Sequence, residues 1–333
     1  MKLISKAAIV ALTSLLITCA PTAPDMKGVD SAITVAEDVV TTNLMPWIEQ
    51  LAYVRAQDIR VNSEGYEAKE LYPANELTRD ASVKLVQEAF ITMGYTPTTV
   101  VLGEGPQAAY NVAAEWRGST RPQEVVLVAG HLDAFYAGAD DNASAVAAML
   151  EIARAVRKHR FARTLRFVAF DLEEFGSVGS TRYIQAGYAD DIVAAVVMDL
   201  IGYASTEPNS QDDVLGLRLP DVGDFILLIG NANSSEWTQK VTALNHAYGL
   251  TKLISVIAPG DGAYFLSSVF MRSDHGVLWY KGIPALFFTD TANFRNPHYH
   301  LPTDTPETLD PEFLARNVKA IAAAAALYAE VLP

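Results

Sequence analysis

The chain has 333 residues, half of them hydrophobic and 19% charged, a globular composition that excludes a disordered or collagen-like protein. With 25 Lys and Arg against 39 Asp and Glu the net charge is −14, which removes any general attraction to nucleic acid or to anionic membrane surfaces. The single cysteine, Cys19, excludes an internal disulfide framework and any Cys-rich zinc or iron–sulfur site.

Lys2 and Lys6 precede an apolar run from Ala7 to Thr18, and the first acidic residue is Asp25. A positive start, a short apolar stretch and small residues predict a secretory signal over 1–20. The run is too short to span a membrane, which takes about 20 apolar residues. Cys19, in Leu16-Ile17-Thr18-Cys19, resembles the lipidated cysteine of a bacterial lipoprotein signal. Thr18 stands where Gly, Ala or Ser is usual, and cleavage near Ala20 is the alternative. Pro21 to Pro24 read as part of a tether over 21–30. The expectation is an exported protein: a periplasmic or outer-membrane-anchored lipoprotein, or a secreted one. No further segment reads as a membrane span.

Beyond the tether, Val35, Val39, Val40, Leu44, Ile48 and Leu51 give helical spacing over 31–58, and a second amphipathic helix covers 77–93. Strands follow at 98–102, 110–116 and 124–129, the last a continuous apolar run suited to burial on both faces. A helix is predicted at 143–159, a buried strand at 165–171, a helix from 179 to 186, and a strand at 192–198. Then come a strand at 225–229, a helix at 234–248, a strand at 284–289 and a closing helix at 311–332. The stretch 203–282 is the least regular and is expected to hold loops over the site. Strands alternating with helices predict one α/β domain over 31–333: three layers, with a mixed, mainly parallel central sheet and helices on both faces.

In such sheets ligands bind beyond the carboxyl ends of the strands. Strand 124–129 ends in Gly130-His131-Leu132-Asp133, and the loop after it carries Gly138-Ala139-Asp140-Asp141-Asn142-Ala143-Ser144. Strand 165–171 runs into Asp171-Leu172-Glu173-Glu174, strand 192–198 ends at Asp199, and His298-Tyr299-His300 follow strand 284–289. Taken singly, each has an ordinary reading: a local hydrogen bond for His131 and Asp133, a turn or helix cap for Asp140 and Asp141, a solvated face for Glu173 and Glu174. Taken together they put His, Asp, Glu, Asp and His on one rim. That donor set of oxygen and nitrogen suits zinc, or less selectively manganese or cobalt. Two cations about 3.5–4 Å apart, sharing one carboxylate, would relieve the repulsion and form a hydrolytic centre. His-Glu-x-x-His, Gly-x-Ser-x-Gly, Gly-x-Gly-x-x-Gly and P-loop patterns are absent from the sequence.

Here the chain resembles the co-catalytic two-zinc aminopeptidases, a group that also includes glutamate carboxypeptidase, glutaminyl cyclase and the catalytically dead transferrin receptor. The resemblance is carried by GHLD at 130–133, GADDNAS at 138–144, FDLEEFGSVGS at 170–180, MDLIGY at 198–203, SDH at 273–275, GIPAL at 282–286 and YHLPTDTPETLD at 299–310. Residues 30–95 carry little of it. The resemblance implies that His131 and Asp199 bind one zinc, that Glu174 and His300 bind the other, and that Asp141 bridges both and is followed by a cis peptide. It implies that Glu173 is the general base, deprotonating a water between the two metals and then protonating the leaving amine. Asp133 would orient the His131 ring through its other nitrogen. Tyr299 is the candidate oxyanion donor, because the other position used by relatives is Phe270 here; packing is its alternative role. His275 is read as structural or substrate-proximal. The implied substrates are peptides with a free N-terminus. A glutaminyl cyclase and a dead binding module are the alternatives, the second opposed by the complete set of site residues.

Overall fold

The computed structural model describes residues 26–61, 76–105, 108–214, 217–259 and 269–333; the expected signal over 1–20, with Cys19, lies outside them. In chain order come α1 (Val29–Glu37), α2 (Leu44–Val61), α3 (Glu76–Thr92), β1 (Thr98–Leu102), β2 (Ala109–Trp116), β3 (Arg121–His131), α4 (Ala145–Val156), β4 (Arg160–Phe161) and β5 (Arg163–Phe170). Then follow α5 (Val178–Gln185), β6 (Ile192–Met198), β7 (Ile226–Gly230), α6 (Ser235–Tyr248), β8 (Leu253–Ile257), α7 (Asp274–Tyr280), β9 (Ala285–Thr289), α8 (Pro311–Ala329) and β10 (Val331–Leu332).

The main sheet has the order β1-β2-β5-β3-β6-β9-β7-β8. Its centre, β5-β3-β6-β9, is parallel throughout. Antiparallel pairing enters at β1–β2, β2–β5 and β7–β9. The apolar run of β3 is what a strand covered on both faces requires. Val126 and Val128 join one buried cluster, with residues of α1, α4 and α8, while Val125, Leu127 and Ala129 join another, with residues of α5 and α7. Strand alternation thus divides one sequence run between two cores, and the expected three layers result. The closing helix starts at Asp310, whose side chain accepts the N–H groups of Glu312 and Phe313, with Pro311 at the first position. Ala322 to Ala326 are all fully buried; their small side chains bring α8 close against its neighbours.

Three elements differ from the sequence expectation. The single helix expected over 31–58 is two, broken between Asp38 and Asn43. Distant polar partners cause the break. The Asp38 carboxylate takes Lys158 and His159, while Val40 N and Asn43 Nδ2 donate to the buried Glu151 at 2.6 and 2.9 Å. The closing helix stops at Ala329, because Val331 and Leu332 pair with β4. The irregular stretch holds β8 and α7 as well as loops.

One buried ion pair ties the early helices to the sheet. Arg79 of α3 meets Asp171 at 3.3 Å, with both side chains at most 1% exposed. Asp171 also accepts the N–H groups of Tyr110 and Leu172. Removing one partner of such a pair strands the other charge, at a cost of about 3–5 kcal/mol. Arg79→Met is expected to lower unfolding stability by about 3 kcal/mol. Denaturant titration checks this, and a loss below the uncertainty of the fit would show that the pair is neutral.

Candidate metal centre

Because β5, β3, β6 and β9 are adjacent and parallel, their carboxyl ends share one rim. His131 is the last residue of β3, and Asp199 follows β6 directly. Glu173 and Glu174 form a one-turn helix after β5, and His300 lies in the segment that leaves β9. A Cβ on Gly130 would lie 2.9 Å from that of Ala145 and 3.2 Å from the Met198 carbonyl oxygen. Glycine therefore lets the start of α4, and the Asp141 loop before it, sit against the strand ends. Leu172, Leu200 and His300 all have positive φ, at 57°, 49° and 57°. Each such residue costs about 1–2 kcal/mol, and strain of this kind concentrates at functional sites.

The side chains converge in two groups. His131 Nε2 lies 3.2 Å from Asp199 Oδ1 and 3.3 Å from Asp141 Oδ1. His300 Nε2 lies 3.1 Å from Asp141 Oδ2 and 2.9 Å from Glu174 Oε2. The Asp141 carboxylate is common to both, one oxygen to each. Within each group the donor atoms all lie within 4.8 Å of one another. Asp141 Oδ2, Glu174 Oε1 and His300 Nε2 are buried and lack a hydrogen-bond partner. Buried polar atoms without a partner call for an ion or a water, and two of these, Asp141 Oδ2 and His300 Nε2, are 3.1 Å apart. The residues present fit such an ion.

The titration behaviour agrees. Burial pushes Glu173 up, and burial and the charge of Asp141 push Glu174 up to about 8. Burial also opposes the Asp141 charge, but His131 and His300 outweigh it and hold that carboxyl below its usual range. His300, disfavoured as a cation by burial, is nevertheless raised to about 9 by Asp141 and Glu174. Burial likewise opposes protonation of His131, and the carboxylates of Asp199, Asp133 and Asp141 overcome it. The carboxylates around both imidazoles make this an environment that favours positive charge.

Neighbouring groups fix the geometry. His131 Nδ1 meets the main-chain oxygen of Asp133 at 3.0 Å, whereas the Asp133 carboxylate is 3.6 Å away. That carboxylate accepts instead from Glu173 N and Glu174 N, at 3.1 and 3.2 Å. Asp133 thus bears on both parts of the site, the ring through its backbone and the glutamate turn through its side chain. The peptide Asp141–Asn142 is cis. Asn142 bonds Met198 O and Leu200 N, one on either side of Asp199. Tyr299 stacks on the His300 ring, centroids 3.8 Å apart. Phe135 lies against the same ring at 4.5 Å. His275 is apart from the cluster: it is fully buried, stacked on Phe287 at 3.8 Å, and held neutral by burial, its pKa lowered to about 3. Asp140 also turns away, taking Gly202 N and Asn296 Nδ2.

Two positioning residues escape sequence reasoning. Asp304 is buried and accepts Asp140 N and Asp141 N at 2.9 and 3.1 Å, pinning the loop that carries Asp141. Arg55 of α2 donates to the carbonyls of Leu132, Ala137 and Gly138. A signal for Asp304 existed in its place four residues after His300; Arg55 gives none, being 77 or more residues from the three carbonyls it holds.

Residues 111–325 match Peptidase family M28. The chain belongs to that family. The family is one of peptidases, and aminopeptidases are among the curated relatives. Among curated relatives, it is 29% identical to the uncharacterized protein YfbL of Escherichia coli (strain K12), over 72% of this chain and 77% of that one. It is 27% identical to a probable lipoprotein aminopeptidase, LpqL, of Mycobacterium tuberculosis, over 71% of this chain and 49% of that one. In fold the M28 chain is similar to the LapA aminopeptidase of Legionella pneumophila, with a TM-score of 0.68 at 19% identity, covering 96% of this chain and 79% of that one. It is similar also to the glutaminyl cyclase of Porphyromonas gingivalis, with a TM-score of 0.59 at 15% identity, covering 87% and 98%. At such identities these two likenesses are of fold alone.

Proposed function

We propose that this M28 protein is a two-zinc aminopeptidase that removes N-terminal residues from peptides. The observation that carries the reading is the Asp141 carboxylate, which offers one oxygen to a His131–Asp199 pair and the other to a Glu174–His300 pair. In this reading His131, Asp141 and Asp199 hold one zinc, and Asp141, Glu174 and His300 the other. Bound there, zinc would supply Lewis acidity toward the scissile carbonyl and toward water.

Glu173 is then the base. Its Oε1 accepts from Ser177 Oγ at 3.3 Å, and its Oε2 faces the centre, 4.0 Å from His131 Nε2. Burial raises its proton affinity, which suits a group that takes a proton from the attacking water and returns it to the leaving amine. Tyr299, held against His300, is the candidate donor to the developing oxyanion; burial and the charge of Asp141 keep its phenol protonated.

A cavity with about 590 Å³ of empty space, its mouth included, opens beside Glu173 and Glu174. Leu227, Ile229, Val269, Phe270, Phe287 and Phe294 line it. Such a lining favours a large apolar side chain at the residue removed, each buried methylene contributing about 0.8 kcal/mol.

Mass spectrometry of a peptide panel tests the reading. Peptides with free N-terminal Leu or Phe are expected to shorten stepwise, those with N-terminal Asp to resist, and acetylated ones to stay intact. Chelation is expected to abolish the activity and added zinc to restore it. Loss of ammonia from a Gln-terminated peptide in place of shortening would make the protein a cyclase, and no change in any peptide would make it a binding module.

The reading includes export. The segment from Lys2 to Thr18 and the likeness to a probable lipoprotein aminopeptidase support it. Among the described residues no helix is long and apolar enough to cross a membrane. The mass of the mature N-terminus tests lipidation of Cys19.

A further inference from the structure

Two cavities flank the centre. One is the apolar cavity; the other, wider and with about 1170 Å³ of space on the same measure, opens past Gly176, Thr181 and Tyr280. Glu173, Glu174, Tyr299 and Arg272 line both. These four residues form the strip between the cavities, where a peptide bond would lie if the residue being removed filled the apolar side.

On that strip Arg272 is the one permanent cation. Its Nη1 donates to Asn293 Oδ1 at 2.8 Å, a neutral partner, and its guanidinium lies 5.8 Å from the Phe294 ring centroid. Among the described residues no carboxylate pairs with it within 4.0 Å. It is exposed, yet close enough to Tyr299 for its charge to act on that phenol. In a chain of net charge −14, an arginine that has no acidic partner among the described residues, and that stands beside an acidic site, calls for an explanation. A guanidinium so placed presents several N–H donors to an incoming anion.

On the aminopeptidase reading the substrate extends from the apolar cavity across the strip into the wider one. The residue after the scissile bond then arrives beside Arg272, one residue being about 3.3–3.6 Å of chain. We propose that Arg272 recognises a carboxylate on the residue that follows the scissile bond. That carboxylate has two sources: the C-terminus of a dipeptide, or the side chain of Asp or Glu in a longer peptide.

Two substrate pairs separate the sources, assayed with the zinc-loaded enzyme and with Arg272→Gln and Arg272→Lys. The first is Leu-Gly against Leu-Gly-amide, the second Leu-Asp-amide against Leu-Asn-amide. The wild-type enzyme is expected to favour the carboxylate member of at least one pair by about tenfold in kcat/KM, mostly through KM, the scale of one charge-assisted hydrogen bond. Preference in the first pair alone marks a dipeptide terminus; preference in the second marks an acidic side chain. Arg272→Gln is expected to bring the ratio close to one, and Arg272→Lys to keep part of it. The proposal is overturned by equal rates within both pairs in the wild type, or by a preference that survives Arg272→Gln. It is overturned also if that variant slows both members equally, because the role is then structural. Hydrolysis of neither member of either pair would overturn the aminopeptidase reading and this one with it, whereas equal hydrolysis would overturn this one alone.

Discussion

Asp141→Ala is expected to empty both metal positions in one step. Elemental analysis of the purified variant should fall from two zinc per chain to none, and turnover should lose most of an enhancement that in enzymes is commonly about 10⁶-fold or more. The reason is the shared carboxylate. With Asp141 gone, His131 keeps only Asp199 at 3.2 Å, and His300 keeps only Glu174 at 2.9 Å. Two protein ligands are fewer than the three that catalytic zinc sites ordinarily have. The variant should still fold, because Asp304 holds that loop through main-chain N–H groups that alanine retains. Retention of one zinc would restrict Asp141 to a single site, and retention of two would remove it as a ligand.

Glu173→Gln is expected to separate binding from chemistry. Glutamine preserves size and can still accept from Ser177 Oγ, which bonds Glu173 at 3.3 Å, but it cannot take a proton. Neither of the two candidate ligand groups includes Glu173, so zinc content should not change. Loss of a positioned base costs about 10²–10⁴-fold, and kcat is the constant expected to carry it. An unchanged kcat would give the proton transfer to another group. Loss of zinc would make Glu173 a ligand.

The parallel centre of the sheet is legible because strands covered on both faces must be apolar without interruption, as Val125 to Ala129 are. The candidate ligands are legible because polar residues at the ends of such strands have few structural reasons to be there. Sequence reasoning goes astray where partners are far away. Nothing in the spacing around Asp38 announces that Lys158, His159 and Glu151 will break the helix there. β8 lies at the sheet edge with half-exposed side chains, and Ser255 divides its four apolar residues into two pairs, shorter than the unbroken run that marks β3. Asp304 and Arg55 act on main-chain groups, and hydrogen bonds to a remote backbone leave no periodic trace. Arg272 stands beside the recognisable Ser273-Asp274-His275 segment, yet its place between two cavities exists only once the chain is folded.

The clamp formed by Arg55 bears on how much of the chain the candidate site needs. The match to the peptidase family opens at residue 111, and a modular view of the chain would set the boundary there. A fragment cut at that point would leave the carbonyls of Leu132, Ala137 and Gly138 without their guanidinium, and Asp171 without Arg79. Both losses fall on loops that carry the site. The stretch that matches the family and the stretch that holds the loops of the candidate site therefore have different starting points, and the second includes α2.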